Sequence, residues 1–378
     1  MDKIDNYKRK IIFIVRGITQ PRCIKRIETL QKAGFPIKVY AFNTGLYEGN
    51  IKNLPFNVSR LIDRDLKANK ITKLLSFIKY FRQFYKENSP NDIYYLFGYE
   101  TAIICYFLGF KNFVYEEADI SATRIKNKIL RSLNEFIDKR VIKKSIYTIF
   151  TSLGFTRYYF KNTCPSNIIY LPNKLNSYFN DVEKKNAVKS TIINPEKIKF
   201  GFIGLIRYKE TIVRFAKVVG KYFPQHEFHF FGDEERKGTY IDEEIRSYKN
   251  VFLHGPFQNP TDLPQIYSQI DINIVCYDTT SGNVRIAEPN KLYESIYFET
   301  PIVVSSNTFL AERVKELGVG IDINAGNDEC IKEFINNINA DNINLIIEKM
   351  KKIGYKELVD DSTEFVNKMS MILNHKNK

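Results

Sequence analysis

Short runs that are apolar at every position recur along this chain, and a stretch of helical period follows most of them. In the first half the runs are IIFIV (11–15), IKVYAF (37–42), DIYYLFG (92–98), NFVYEE (112–117), YTIFTS (147–152) and NIIYLPN (167–173). A strand that is apolar throughout, with no alternation, is buried on both faces. Alternation of such strands with helices therefore predicts a parallel sheet covered on both sides. The helical stretches are 20–33, with Ile24, Ile27 and Leu30 on one face and Gly34 at its stop, then 70–88 and 100–109. A longer one covers 121–144, with Ile125, Ile129, Leu133, Phe136 and Val141 as the stripe expected to face the core.

The same order restarts at 199. KFGFIG (199–204), EFHFFGD (227–233), NVFLHG (250–255), DINIVCY (271–277) and PIVVSS (301–306) read as strands, with helices at 209–222, 261–269, 289–299 and 310–317. Residues 174–197 are polar, aperiodic and contain Pro195, which marks a linker. The expected division is a first α/β domain over 1–175, a linker over 176–197, a second α/β domain over 198–350, and helices over 351–378 returning to the first. A chain of 378 residues has room for two such domains.

Charge is divided unevenly. Residues 1–180 hold 31 Lys and Arg against 14 Asp and Glu; the rest hold 26 against 29. A basic first half suits an anionic membrane surface, an anionic acceptor or nucleic acid, and equally a lysine-rich solvated surface. Segment 124–144 alone has eight basic residues and two acids. It reads either as a patch that lies on anionic lipid or as a packed helix with a charged outer face. The five cysteines are scattered, odd in number and without a C-x-x-C pair, which points to a reducing compartment. The apolar runs 11–15 and 101–110 are too short to span a bilayer, so a cytoplasmic chain, peripheral to a membrane at most, is expected.

Segment 285–304, RIAEPNKLYESIYFETPIVV, carries the most chemistry. Pro289 opens an amphipathic run, Lys291 and Glu294 fall in its first two turns, and Thr300-Pro301 ends it before a buried strand. A helix start offers amides and a cation to an anion, and a Glu one turn further in reaches sugar hydroxyls. Arg207 and Lys209 follow the turn Gly201-x-x-Gly204, again where a parallel strand hands over to a helix. Glycine there lets backbone approach phosphate. The bland alternative for each is a solvated helix-start residue.

Several stretches together resemble the GT-B glycosyltransferases that build bacterial surface polysaccharides (a family 4-like group). They are GFIGLIRYKE, HEFHFFGDEE, VFLHGPF, LPQIYSQIDINIVCY and EPNKLYESIYFETPIVVSS in the second half, with VYEEADI and IIYLPNKLNSYF in the first. The resemblance implies two Rossmann-like domains with a cleft between them and transfer of a sugar from a UDP- or GDP-linked donor. It implies no resident cofactor and no metal: positive side chains and helix starts meet the leaving diphosphate. Gly204, Arg207, Lys209, Asn290 and Lys291 would hold the phosphates, Glu294 the ribose, Gly255 and Phe257 with His254 and Pro256 the base, and Gly17 a ligand approaching the first strand. The acceptor would be a glycan, free or lipid-linked.

Two positions depart from the pattern. Eight residues before Glu294 stands Ile286 instead of the first Glu of E-x7-E, which leaves Glu288 as the nearest acid and a catalytic candidate, with the loop 279–283 beside it. Ala118 stands where relatives have His before Asp119. Asp119 is then either a general base or the cap of helix 121–144; of Glu116 and Glu117, alternate strand positions, one faces the site. These departures keep a non-catalytic scaffold subunit open as an alternative. A dinucleotide oxidoreductase is disfavoured because no G-x-G-x-x-G follows a strand, and nucleic-acid binding because no recognition module appears. His226 and His229 fall on opposite strand faces, and the string Asp63-Arg64-Asp65 precedes a helix, so neither reads as a metal site.

Overall fold

The computed structural model describes residues 7, 9–18, 20–43, 54–63, 69–161, 163–175, 179 and 193–374. The chain divides into two compact units, Met1–Pro172 with Asp361–Lys378, and Asn173–Asp360. The first holds seven strands: β1 (Ile11–Val15), β2 (Ile37–Asn43), β3 (Arg60–Asp63), β4 (Ile93–Phe97), β5 (Phe113–Glu117), β6 (Tyr147–Phe150) and β7 (Ile168–Tyr170). They lie in the order β3-β2-β1-β4-β5-β6-β7, every neighbour parallel. Strands β1 and β4 are buried at all five positions, as their unbroken apolar pattern demands, and so is β5, although it ends in Glu116 and Glu117. Strand β3 has no such run. Only Ile62 of its four residues is buried, because it closes the sheet's edge.

The second unit repeats the plan with β8 (Lys199–Ile203), β9 (Glu227–Phe231), β10 (Val251–Leu253), β11 (Ile272–Val275), β12 (Ile302–Ser305) and β13 (Gly320–Ile323), in the order β10-β9-β8-β11-β12-β13. In each sheet the order reverses beside the first strand, at β1/β4 and at β8/β11. Doubly wound sheets bind ligands at the carboxyl ends of strands flanking such a reversal.

The expected linker lies outside the described residues except Phe179 and 193–197. Leu175, just before it, exchanges backbone bonds with Leu358 and Asp360, and Phe179, within it, packs on Tyr297 and Phe298, all in the second unit. The chain returns to the first unit in the helix Thr363–Asn374, whose Phe365, Met369, Ile372 and Leu373 join the core under β1 and β4. Arg9 donates to the Ile372 carbonyl (2.8 Å), and Arg26 lies over the Phe365 ring.

Segment 121–144 departs from expectation. Ser121–Arg124 is a single 3-10 turn, and the helix proper is Lys128–Lys144, capped by the Asn127 side chain on the amides of Ile129 and Leu130. Asp119 therefore does not cap it. Of the stripe, Val141 is buried with Ile142, but Ile129, Leu133 and Phe136 are 79%, 53% and 54% exposed. The face turned inward carries Asp138 instead, fully buried opposite Glu117. Periodicity fixed the helix but not its rotation, because a buried acid outweighed the apolar stripe. Of the D-x-D string, Arg64 and Asp65 lie outside the described residues.

Met369 is wholly buried in the first unit's core. Met369→Ala should cost about 2–5 kcal/mol, read as a lower urea midpoint, if the terminal helix is integral to that unit. An unchanged midpoint would show it is not.

Candidate active site

Three adjacent strands of the second unit end in glycines with positive φ: Gly204 after β8 (143°), Gly232 after β9 (136°) and Gly255 after β10 (77°). A Cβ on Gly232 would stand 2.0 Å from the Gly204 carbonyl oxygen, so only glycine lets these turns meet. The Gly232 amide donates to Gly255 (2.7 Å), the Gly204 amide to Phe231 (2.8 Å) and the Ile206 amide to Asp233 (2.9 Å). Backbone pairing thus continues past the strand ends. The Gly204 amide, expected near phosphate, is committed to it, as is that of Ile206, which leaves that task to side chains beyond.

Arg207 and Lys209 are both exposed just past this turn. Arg207 faces Glu235 at 3.7 Å and lies over the Tyr208 ring. Lys209 opens not an α-helix but a π turn, Lys209–Val213, which runs into the helix Arg214–Tyr222. Tyr208 stacks on Tyr277, centroids 4.8 Å apart, just past the carboxyl end of β11. Burial pushes the Tyr277 phenol up, with Tyr208 and Glu294 adding to the shift and Arg207 opposing it. One phenol thus lies within electrostatic reach of both Arg207 and Glu294.

The helix carrying Glu294 is Lys291–Tyr297, and all seven of its residues are buried. The sequence predicted an amphipathic helix whose Lys291 meets phosphate. Instead Lys291 Nζ donates to Glu294 Oε2 at 2.6 Å. Tyr267 donates to the same oxygen (3.0 Å) and Asn290 to Oε1. Asn273, inside β11, donates to Ser295 Oγ (2.8 Å) and Tyr267 Oη (3.3 Å). Mutual pairing is what lets so polar a helix be buried all round. Each carboxylate oxygen has two lone pairs, so Oε1 keeps one for a further donor.

Glu288 is also buried. It accepts from the Tyr293 hydroxyl and faces Arg313 Nε at 3.9 Å. Its carboxylate braces the turn before the helix. His254 stacks on Phe231 (4.2 Å) and pairs with His229 through ring nitrogens 3.0 Å apart. Phe257 packs half-buried against the core around Tyr267 and Leu292. His226 faces away and accepts from the Ile198 amide. Among the described residues no group of three or more His, Cys, Asp or Glu is placed to hold a metal ion.

In the first unit, Glu116 and Glu117 at the end of β5 point to opposite faces and both are fully buried. Burial pushes the Glu116 carboxyl up, but Arg26 (3.0 Å) and Arg22 (3.5 Å) outweigh it and hold it below the usual range. Glu117 is raised well above that range by burial and by Asp138 beside it. Asp138, which accepts from Tyr159, is pushed up to about 6, mainly by burial. Asp119, two residues past the strand, is exposed and 3.6 Å from Arg124. Gly17, past β1, has ordinary backbone, and a Cβ there would touch only the Gln20 side chain at 3.5 Å. Its fold does not require glycine.

Residues 183–357 match the family model described as glycosyl transferases group 1. The solved structure of Anabaena HepE in complex with UDP superposes with a TM-score of 0.67 at 13% identity, over 96% of this chain and 99% of that one. The apo lipopolysaccharide outer core galactosyltransferase WaaB gives 0.58 at 13%, over 96% and 99%. A UDP-N-acetylglucosamine 2-epimerase gives 0.57 at 12%, over 93% and 94%. No curated protein matches by sequence. The chain has the GT-B fold, and its second unit carries the group 1 glycosyl transferase match.

The matched span contains every site candidate of the second unit, from Gly204 to Glu294; Gly17 and Asp119 fall outside it. Sequence reasoning missed Tyr208, Tyr277, Tyr267 and Asn273. The first two carried a signal, an aromatic residue within a few positions of a strand's carboxyl end. Asn273 carried another, an amide inside an otherwise apolar strand.

The raised Asp138 carboxyl has a measurable consequence. A group that holds its proton more tightly when folded stabilises the fold at low pH, and that contribution is lost as pH rises from about 4 to about 6. Melting temperatures of Asp138→Asn and wild type, compared across this window, should diverge, with wild type losing ground as pH rises. Parallel curves would mean the carboxyl is not perturbed.

Proposed function

We propose that the enzyme moves a sugar from a UDP- or GDP-linked donor to a glycan or lipid-linked glycan in surface-polysaccharide synthesis, at the cytoplasmic face of a membrane and without a metal ion. The observation that carries the donor reading is the stack of Tyr208 on Tyr277, with Arg207 over the Tyr208 ring and the buried Glu294 within electrostatic reach of Tyr277. It offers a cation for a diphosphate and a carboxylate for a ribose, at the carboxyl ends of β8 and β11, beside the reversal of strand order. The UDP bound by HepE favours uridine over guanosine.

Each residue then has a task. Arg207 and Lys209 stabilise the charge that grows on the departing diphosphate. Glu294, held in place by Lys291, Tyr267 and Asn290, accepts from ribose hydroxyls on its open lone pair. Glu288 fixes the Pro289–Asn290 turn through Tyr293 and Arg313 and acts as a positioning residue. Asp119, exposed at the end of β5, takes the acceptor's proton. The basic first unit receives an anionic acceptor.

A scaffold subunit that binds donor without transferring it is a second reading, favoured by Ala118 and Ile286 where relatives carry a His and a Glu. Transfer or donor hydrolysis by the purified chain excludes it, and the same product analysis would reveal epimerisation.

UDP affinity measured by calorimetry should fall about tenfold to a hundredfold in Arg207→Ala and in Glu294→Gln. Thermal melts must show that both variants are folded. Wild-type affinity in both folded variants would overturn the donor site. For Asp119→Asn, kcat should drop about 10²–10⁴-fold with UDP affinity unchanged. Undiminished turnover would remove Asp119 from the chemistry.

A further inference from the structure

The helix Lys128–Lys144 carries Ile129, Leu130, Leu133 and Phe136 within two turns of one another, all more than half exposed. They fall at positions i, i+1, i+4 and i+7 and so share one face. The helix Tyr99–Phe107 packs beside it and ends in Phe107, 68% exposed. Next to that lies the helix Lys70–Glu87, with Ile71, Leu74 and Leu75 also exposed. Three neighbouring helices thus present apolar side chains to solvent, more than scattered surface residues account for.

The exposed charges of this helix and of the turn before it are all basic. Lys126, Lys128, Lys139, Arg140, Lys143 and Lys144 are exposed. Both acids of the helix are held by tyrosines of the helix Leu153–Phe160: Glu135 accepts from Tyr158, and buried Asp138 accepts from Tyr159. The Arg140 guanidinium sits 4.6 Å from the Phe136 ring centroid, a cation at the edge of the apolar stripe.

We propose that this face docks the protein on an anionic lipid surface, the apolar stripe entering the headgroup region and the cations meeting lipid phosphates. The inference rests on the membrane location proposed above and on none of the donor-site residues. An apolar stripe bordered by lysines and arginines, with its acids withdrawn, is the composition of an interfacial helix. Protein interfaces deplete lysine at their centre. A second copy packed across a two-fold axis would set these cations against one another. The helix starts at the carboxyl-terminal edge of the first sheet, the edge that also carries Asp119, so docking there would bring a lipid-linked acceptor toward that carboxylate.

Co-sedimentation of the full chain with vesicles tests this. Vesicles of mixed phosphatidylglycerol and phosphatidylcholine should pellet the protein at low salt. Phosphatidylcholine alone should do so about tenfold less well, and high salt should release it. The combined Leu130→Ser, Leu133→Ser and Phe136→Ser variant should lose vesicle binding about tenfold while keeping its melting temperature and UDP affinity, since all three side chains are exposed. Should that variant fold poorly, Lys139→Glu with Lys143→Glu should give the same loss. Wild-type protein left in the supernatant with anionic vesicles, or variants that bind as well as wild type, would overturn the proposal. So would a wild-type dimer, seen by sedimentation velocity, that dissolves in the variant. Lost UDP affinity in wild type would strike the donor reading instead and leave this one standing.

Discussion

The buried pair of Lys291 and Glu294 is what the second unit's site depends on. Taking either charge out of water alone costs several kcal/mol, yet the helix that bears them is buried along its whole length. It tolerates this because the two ions lie 2.6 Å apart and because Tyr267 and Asn290 satisfy further lone pairs of the carboxylate. The arrangement reaches deeper through Asn273, which ties Tyr267 and Ser295 to β11. A carboxylate so held has little rotamer freedom left to lose when it accepts another donor, and such preorganisation favours binding. The same pairing turns Lys291 away from solvent and leaves Arg207 and Lys209 as the accessible cations.

Backbone geometry complements this electrostatic core. Gly204, Gly232 and Gly255 close the ends of β8, β9 and β10 against one another, and the contact between Gly232 and the Gly204 carbonyl leaves no room for a side chain. The paired turns form a rigid rim from which Arg207 and Tyr208 project. Tyr208 stacked on Tyr277 then bridges from β8 to β11 across the reversal in strand order. Cation, stacked rings and carboxylate are held by separate elements, so their spacing depends on the sheet and not on any one loop.

Most of the strand order was legible because a doubly buried strand leaves an unbroken apolar run. Strands β1, β4, β5 and β12 could hardly be mistaken. Strand β3 was illegible, since an edge strand with one buried residue has no pattern to show. The candidate residues of the second unit were legible as a group at strand-to-helix junctions: Arg207, Asn290, Lys291 and Glu294. Their orientation was not. Periodicity of 289–299 suggested a wet face, but ion pairing inside the helix removed the need for one. The first unit shows the converse error: the stripe of 128–144 suggested a core face, and the buried carboxyls Glu117 and Asp138 rotated it outward. Both failures share a cause. Apolar periodicity assumes that charged groups stay in water, and a charge that finds a partner, or a proton, breaks that assumption.

That rotation also gives the first unit's charge a direction. The buried acids are drawn inward, Glu116 to Arg22 and Arg26, and Asp138 to Tyr159 and Glu117, whose carboxyl burial raises well above its usual range, while most basic residues of the helix Lys128–Lys144 stay outside. A net excess of lysine and arginine spread at random would raise solubility and little else. Here the inward acids neutralise themselves in the core, so the outward field of this face is more positive than its composition alone implies. An anionic partner approaching it meets cations first and apolar side chains next, the order of encounter in which long-range attraction brings short-range burial within reach.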